Sequence, residues 1–163
     1  MFRIVQLPDR VSGNLYLHSM PGRYESFSEA ISSIVKLNID TVVCLTPMNE
    51  ILEKSPDYAE AIQTGNLPCN HRMFEIPDYD VPKDRERFLD LVRSVAEALQ
   101  SGKHVLIHCG AGIGRTGTLA ICVLMALGLE EDEAWQRVRD AGSCAENQAQ
   151  RELITWAAIQ LRE

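Results

Sequence analysis

Residues 104–120 read HVLIHCGAGIGRTGTLA, an apolar run followed by a loop with four glycines and a second apolar segment. The short run is typical of a buried strand, and the longer apolar segment that begins at Thr116 is typical of a buried helix. Glycines between a strand and a helix leave backbone amides free, and the helix dipole adds partial positive charge. This stretch therefore predicts an anion-binding loop at the end of a buried strand.

On either side of this stretch, predicted strands alternate with predicted helices until only helices remain. In chain order the predicted elements are the strands FRIVQL and NLYLHS, the helix SFSEAISSIVKLN, the strand DTVVCL, short helices and loops from Pro47 to Asn70, the strand HRMFEI, the loop PDYDVPKD, a helix from Asp84, the strand HVLIH, and the helices TGTLAICVLMAL, EDEAWQRVRDA and AQRELITWAAIQL. Such alternation predicts an α/β fold with a central, mainly parallel sheet of four to five strands flanked by helices. Since ligands of such sheets bind at the carboxyl end of a central strand, we expect HVLIH at the centre and the glycine loop at the site.

The bulk composition restricts the class of protein and its partners. The 163 residues fit one domain, residues 1–163, and their net charge of −7 disfavours nucleic acid and membranes as partners. No apolar run approaches the roughly 18 residues that span a bilayer, and MFRIVQLPDR lacks the apolar core of a signal peptide. We therefore expect a cytoplasmic protein.

The cysteines indicate neither a disulfide framework nor a zinc site, because their number is odd and no CxxC pair occurs. Most are expected to be small buried residues in a reducing compartment, and we predict no metal and no cofactor. The five cysteines are Cys44, Cys69, Cys109, Cys122 and Cys144.

Three kinds of phosphate-binding loop compete for the glycine-rich stretch. Gly112, Gly114 and Gly117 match the dinucleotide fingerprint, but that motif requires a following strand that ends in an acidic residue, and the sequence there looks helical. A nucleotide P-loop requires lysine where Thr118 stands. The third reading is a loop with its own nucleophile, in which Cys109 and Arg115 are the essential residues.

In that reading, Cys109 lies at the base of the amide-lined loop and faces the bound anion. Free amides and the helix dipole favour thiolate over thiol, and the thiolate is the nucleophilic form. The planar guanidinium of Arg115 can bind two phosphate oxygens at once. The spacing of these two residues therefore predicts a phosphate site with a built-in nucleophile.

The segment HCGAGIGRTG matches the pattern HCxxGxxR[ST], and on it the chain resembles the cysteine-dependent protein tyrosine phosphatases. Its length is similar to that of the compact dual-specificity phosphatases, in the group of the kinase-associated phosphatase and related bacterial enzymes. GNLYLHSMPG resembles the first strand pair of that group, DTVVCLTPMNE a strand-to-loop segment, and FEIPDYDVP the loop of the general acid. The resemblance implies a protein tyrosine phosphatase-like fold.

The resemblance also implies roles for the residues of the loop. Cys109 is expected to attack phosphorus and form a phosphocysteine, while Thr116 resembles the residue that assists hydrolysis of this intermediate. His108 resembles the residue that braces the loop, although a buried histidine without such a role is the alternative. The amides expected to hold the phosphate oxygens belong to Gly110, Ala111, Gly112, Ile113, Gly114 and Arg115, together with the Arg115 guanidinium.

Two further residues are expected from the segments around the loop. Asp78 is the preferred general acid because related sequences place the acid four residues before a proline, as Asp78 precedes Pro82. Asp80 is the alternative. In ENQAQRELI, Gln150 is the preferred neighbour of the hydrolytic water, with Gln148 as the alternative.

The predicted reaction is hydrolysis of phosphotyrosine in proteins, with phosphoserine and phosphothreonine as additional substrates. The alternatives are a phosphoinositide or inositol-phosphate phosphatase and a non-catalytic phosphate-binding module. Gly110, Ala111 and Ile113 are uncharged, which favours phosphoproteins over polyphosphorylated headgroups. Phosphate, vanadate and sulfate are expected to fit the loop, and Cys44 is a candidate partner for Cys109 in a protective disulfide.

Overall fold

A computed structural model describes residues 1–162, which form a five-stranded sheet and seven helices. The strands are β1 (Arg3–Val5), β2 (Asn14–His18), β3 (Thr41–Cys44), β4 (Asn70–Met73) and β5 (His104–His108). The helices are α1 (Phe27–Lys36), α2 (Met48–Lys54), α3 (Pro56–Thr64), α4 (Arg85–Gln100), α5 (Gly114–Ala126), α6 (Glu131–Asp140) and α7 (Gln148–Leu161). None of these helices has both the length and the apolar character needed to cross a bilayer.

The sheet has the order β1-β2-β5-β3-β4, with β5 at its centre. Only β1 is antiparallel to its neighbour, and the other pairs are parallel. His108 pairs with His18 of β2 and with Cys44 of β3, so the carboxyl ends of three strands meet at one edge. The predicted α/β fold, its mainly parallel sheet and the central position of HVLIH are confirmed.

Alternation along the strands explains why both faces of the sheet are covered. Successive strand residues point to opposite faces. Val42 and Leu106 pack with Ile34 of α1 on one face, while Val43 and Ile107 belong to the larger core formed with α4 to α7. Continuous apolar strands are therefore required here, as in other parallel sheets covered on both sides.

Two helices begin where their sequences predict. Ser26 caps α1 by accepting a hydrogen bond from the Glu29 amide at 3.1 Å, and Asp84 caps α4 in the same way through the Arg87 amide. The apolar face of α4 is buried as its spacing predicts. Its buried residues are Phe88, Leu89, Leu91, Val92, Val95, Ala96 and Leu99.

Helix α5 begins at Gly114, two residues before the apolar segment that predicted it. The Gly117 amide donates to the Ile113 carbonyl at 2.7 Å, which closes the first turn inside the glycine-rich stretch. Gly117 also allows close packing, since a Cβ atom there would lie 2.5 Å from the Cys144 backbone nitrogen. The early start places Arg115 in the first turn, next to the predicted anion site.

Candidate active site

Cys109 directly follows β5 at the carboxyl edge of the sheet, where the sequence predicts the nucleophile. Its side chain is 2% exposed and lines a small pocket with a volume of about 100 Å³. The pocket is lined by Arg23, Lys54, Asp78, Tyr79, Cys109, Ala111, Gly114, Arg115 and Glu146. The structure therefore brings five predicted residues to one pocket: Cys109, Arg115, Asp78, Ala111 and Gly114.

Two carbonyls of the loop are held by hydrogen bonds from residues outside it. The Gly110 carbonyl accepts from the Met20 amide at 3.1 Å. The Gly112 carbonyl accepts from Arg3 Nη2 at 2.8 Å and from Ser143 Oγ at 2.6 Å. Arg3 and Ser143 were missed by sequence reasoning because both lie outside the motif and contact only its backbone.

The amides of the loop, in contrast, are left available. From Gly110 to Arg115 they donate to no acceptor within residues 1–162. Gly112 has a φ of +78°, and a Cβ atom there would lie 2.5 Å from the His18 carbonyl oxygen, so only glycine fits. Free amides at a helix start form an anion-binding concavity, as the sequence predicts.

Arg115 is fixed by four acceptor atoms from three residues around its guanidinium. Nη1 and Nη2 donate to the two carboxylate oxygens of Glu50 at 3.1 and 3.0 Å, and Nη1 also donates to the Ile76 carbonyl at 2.9 Å. Nη2 donates to Asp78 Oδ1 at 3.1 Å. Burial alone would lower the pKa of Arg115, but the Glu50 hydrogen bonds and the charges of Cys109, Glu50 and Asp78 raise it.

Glu50 is the main site residue that sequence reasoning missed. It lies on α2, within the stretch predicted only as short helices and loops. Burial would raise the pKa of its carboxyl, but hydrogen bonds from Arg115 and the nearby Lys54 lower it. A glutamate on a short helix carries no local signal, since its partner is 65 residues away in the sequence.

The two candidate acids lie in the loop after β4 but have different contacts. Asp78 lines the pocket and contacts Arg115, whereas the Asp80 carboxylate accepts a hydrogen bond from the Val81 amide at 2.8 Å. Tyr79, between them, has a φ of +60°, and its carbonyl accepts from Asn147 Nδ2 at 2.7 Å. Of the two aspartates, only Asp78 lies at the pocket.

His108 is completely buried and has a defined tautomer. Its Nδ1 lies 3.1 Å from the Cys109 carbonyl, which can only accept, so Nδ1 carries the proton. Nε2 therefore accepts from the Tyr58 hydroxyl at 2.6 Å, and that hydroxyl accepts from His71 Nε2 at 2.7 Å. Burial lowers the pKa of His108 to about 4, so the ring is neutral at pH 7.

The remaining predicted residues lie in or beside this arrangement. Thr116 is buried in the first turn of α5, and its Oγ1 has no hydrogen-bond partner among the described residues. Gln150 is 1% exposed, donates to the Asp80 carbonyl at 3.4 Å and accepts from the Glu146 amide. Gln148 is exposed and bonds to Glu152 on its own helix. Gln150 therefore lies against the acid loop, and Gln148 does not.

Cys44 lies beside the loop in a polar cluster. Its sulfur and the nearest nitrogens of His71 and His108 lie within 4.8 Å of one another, which suits a metal ion. However, the Tyr58 hydroxyl already lies between the two imidazoles. A disulfide between Cys44 and Cys109 stays a prediction, since both thiols are free here.

A family model described as "PTP-SAK: Swiss Army Knife protein, DSP-PTPase phosphatase domain" matches residues 11–160. The chain belongs to this family. The family is a compact, dual-specificity phosphatase-like branch of the cysteine-dependent protein tyrosine phosphatases, as the sequence indicates.

Individual proteins agree with this assignment. The chain is 37% identical over 87 residues to mouse tyrosine-protein phosphatase non-receptor type 13, a match that covers 52% of this chain and 4% of that protein. The crystal structure of kinase-associated phosphatase, with its catalytic cysteine replaced by serine, has a TM-score of 0.84 at 17% identity and covers 99% of this chain and 96% of its own. A mutant form of Tk-PTP has a TM-score of 0.71 at 28% identity, with coverage of 98% and 97%.

Proposed function

We propose that this chain hydrolyses phosphotyrosine in proteins, and phosphoserine or phosphothreonine as additional substrates, through a phosphocysteine intermediate. The observation that carries the proposal is the position of Cys109 in a small pocket beside unpaired amides and the guanidinium of Arg115. We further propose residues 1–163 as one catalytic domain. Its cytoplasmic location stays a prediction from the sequence.

The first step forms a covalent intermediate. The Cys109 thiolate attacks phosphorus, the S–P bond forms, and the P–O bond to the substrate oxygen breaks. The amides from Gly110 to Arg115 hold the equatorial oxygens as charge redistributes. Asp78 donates a proton to the leaving oxygen, which then departs as an alcohol or phenol.

The contacts of Arg115 suggest how substrate releases the acid. Glu50 accepts one N–H from Nη1 and one from Nη2 of Arg115. The side of the guanidinium that remains for a phosphate therefore consists of Nε–H and the second N–H of Nη2, which donates to Asp78 in this structure. A bound phosphate would replace Asp78 on Arg115. The carboxyl is then free at the pocket, beside the leaving oxygen.

The second step returns the thiolate. Asp78, now a carboxylate, accepts a proton from water, the water oxygen attacks phosphorus, and the S–P bond breaks to give inorganic phosphate. Thr116 is proposed to assist this step through its unpartnered hydroxyl. Gln150 is proposed to lie near the water, and His108 to brace the loop through the Cys109 carbonyl.

The direct test is hydrolysis of para-nitrophenyl phosphate with vanadate as inhibitor. Cys109→Ser should abolish turnover while the fold and phosphate binding persist, because serine has a similar size but no comparable nucleophile at neutral pH. Mass spectrometry of acid-quenched wild type should find a phosphate on Cys109. Retention of more than about one hundredth of wild-type turnover by the serine variant would contradict the covalent mechanism.

Substrate class is tested with one panel of phosphopeptides, phosphoinositides and inositol phosphates. Phosphopeptides should be preferred, since the loop residues Gly110, Ala111 and Ile113 are uncharged and the net charge is −7. Faster hydrolysis of a phosphoinositide would favour the lipid alternative. Tight phosphate binding without turnover would favour a binding module.

A further inference from the structure

Arg23 is a cation at the pocket that the proposed reaction does not use. It lies in the loop between β2 and α1 and lines the pocket beside Cys109 and Arg115. A Cβ atom on Gly110 would lie 2.5 Å from Glu50 Oε2, 3.1 Å from Arg115 Nη2 and 3.3 Å from Arg23 Nη1. The two guanidinium groups therefore meet at the Gly110 end of the loop.

The Arg23 guanidinium is oriented but has no anionic partner. It lies over the ring of Tyr24, 4.7 Å from the ring centroid, and donates to no acceptor within residues 1–162. Tyr24 is 66% exposed, so the stack stands at the surface. Stacking on an aromatic face fixes the plane of a guanidinium and leaves its N–H edge free for a planar anion.

Charge at the pocket mouth is divided between its two ends. At the Gly110 end, Lys54 and Arg115 accompany Arg23. The Glu50 carboxylate lies 3.4 Å from the Lys54 ammonium and 3.0 Å from Arg115 Nη2, so it partly neutralises these two cations but forms no ion pair with Arg23. At the opposite end, a Cβ atom on Gly114 would collide with the Glu146 carboxylate. An anionic group of the substrate is therefore attracted to Arg23 and repelled from the Glu146 side.

We propose that Arg23 binds a second anionic group of the substrate, the carboxylate of an aspartate or glutamate close to the phosphorylated residue in a peptide. The inference rests on the proposed function, since it assumes that a phosphorylated residue occupies the loop. A single guanidinium without an ion-pair partner can bind one carboxylate. A polyphosphorylated headgroup would need more cations than this mouth provides, and Glu146 would repel it.

The test measures binding rather than turnover, in the Cys109→Ser background. Phosphotyrosine peptides carry a single glutamate at each of the three positions on either side of phosphotyrosine, and matched peptides carry glutamine instead. At one or more positions the glutamate peptide should bind about fivefold more tightly, the size expected of one exposed ion pair. Raising the salt concentration should reduce this preference.

Arg23→Gln in the same background should remove the preference for glutamate. The matched control is Arg139→Gln, because Arg139 also stacks on an aromatic ring, that of Trp135 at 5.0 Å, but does not line the pocket. This control should retain the preference.

Three results would overturn the inference: equal binding of all peptides, an equal loss for glutamate and glutamine peptides in Arg23→Gln, or tighter binding to vesicles containing phosphatidylinositol bisphosphate than to any peptide. A glutamate preference in a protein without turnover on para-nitrophenyl phosphate would support the Arg23 site and contradict the hydrolase. Turnover on para-nitrophenyl phosphate without a preference for glutamate peptides would support the hydrolase and contradict the Arg23 site.

Discussion

Asp78 and Asp80 are two residues apart, yet their environments differ completely. Asp78 reaches the guanidinium of Arg115, while Asp80 closes a local turn through the Val81 amide. The left-handed conformation of Tyr79 turns the chain between them. The hydrogen bond from Asn147 to the Tyr79 carbonyl holds this turn in place.

Asp78→Asn should remove the proton donor for the leaving oxygen, so the loss of activity should depend on how much the leaving group needs a proton. Phosphopeptide hydrolysis should fall by about 100-fold or more, and nitrophenyl phosphate hydrolysis by much less, because nitrophenolate leaves without protonation. Asp80→Asn is the control and should resemble wild type. A loss of phosphopeptide hydrolysis in Asp80→Asn alone, with nitrophenyl phosphate hydrolysis retained, would show that the acid was assigned to the wrong residue.

Glu50 is proposed as a positioning residue that acts through Arg115. Glu50→Gln retains one acceptor but loses the charge, so the guanidinium is held less firmly. We expect kcat/KM to fall by about tenfold, with the loss shared between kcat and KM. Glu53→Gln, an exposed change on the same helix, is the control. Unchanged kinetics in Glu50→Gln would remove Glu50 from the site.

At the scale of an element, the loop between β5 and α5 depends on its backbone rather than on its side chains. The carbonyls of Gly110 and Gly112 are held by Met20, Arg3 and Ser143, and the amides from Gly110 to Arg115 are left without acceptors among residues 1–162. Early initiation of α5 adds the helix dipole to those amides. The element is therefore sensitive to any group that changes the path of the backbone.

Gly112→Ala tests this sensitivity. The new Cβ would lie 2.5 Å from the His18 carbonyl oxygen at a φ of +78°, so the loop must shift. We expect the unfolding free energy to fall by about 1–3 kcal/mol. Vanadate affinity and turnover should fall by about tenfold or more, because the amides no longer converge. Gly65→Ala, with a similar φ of +67° but open space around it, is the matched control.

At the scale of the whole molecule, the buried polar groups make stability depend on pH. His108, the last residue of the central strand, has a pKa of about 4, against an ordinary value of 6.5. As the pH falls, His108 therefore becomes protonated near pH 6.5 in the unfolded chain but only near pH 4 in the folded chain. The contribution of neutral His108 to the unfolding free energy is fully present above pH 6.5 and is lost as the pH falls from 6.5 to about 4.

His108→Asn should reduce this loss. Between pH 7 and 4.5 the unfolding free energy of wild type should fall by about 2–3 kcal/mol more than that of the variant. Urea unfolding at the two pH values measures the unfolding free energy of each protein. The other titratable groups are present in both proteins and contribute equally. Parallel pH profiles for the two proteins would show that His108 is not the group responsible.

The sequence by itself determined the class of fold and the centre of the site. Alternating apolar runs fixed a mainly parallel sheet, because such runs need cover on both faces. Residues 108–117 are contiguous, so their spacing alone joins Cys109, the free amides and Arg115 in one turn. The cap at Ser26 is equally local, because Ser26 and Glu29 have the spacing of a capping box and such a hydrogen bond can be predicted from spacing.

Tertiary structure decided everything that reaches the loop from elsewhere. Glu50, Arg3 and Ser143 hold groups that are far from them in the sequence, and nothing in their own surroundings indicates this. The sequence preferred Asp78 over Asp80, but the contact of Asp78 with Arg115 depends on the turn at Tyr79. The physical reason is common to these cases. Parallel strands bring their carboxyl ends to one edge of the sheet, so the loops that follow them meet there regardless of their separation along the chain.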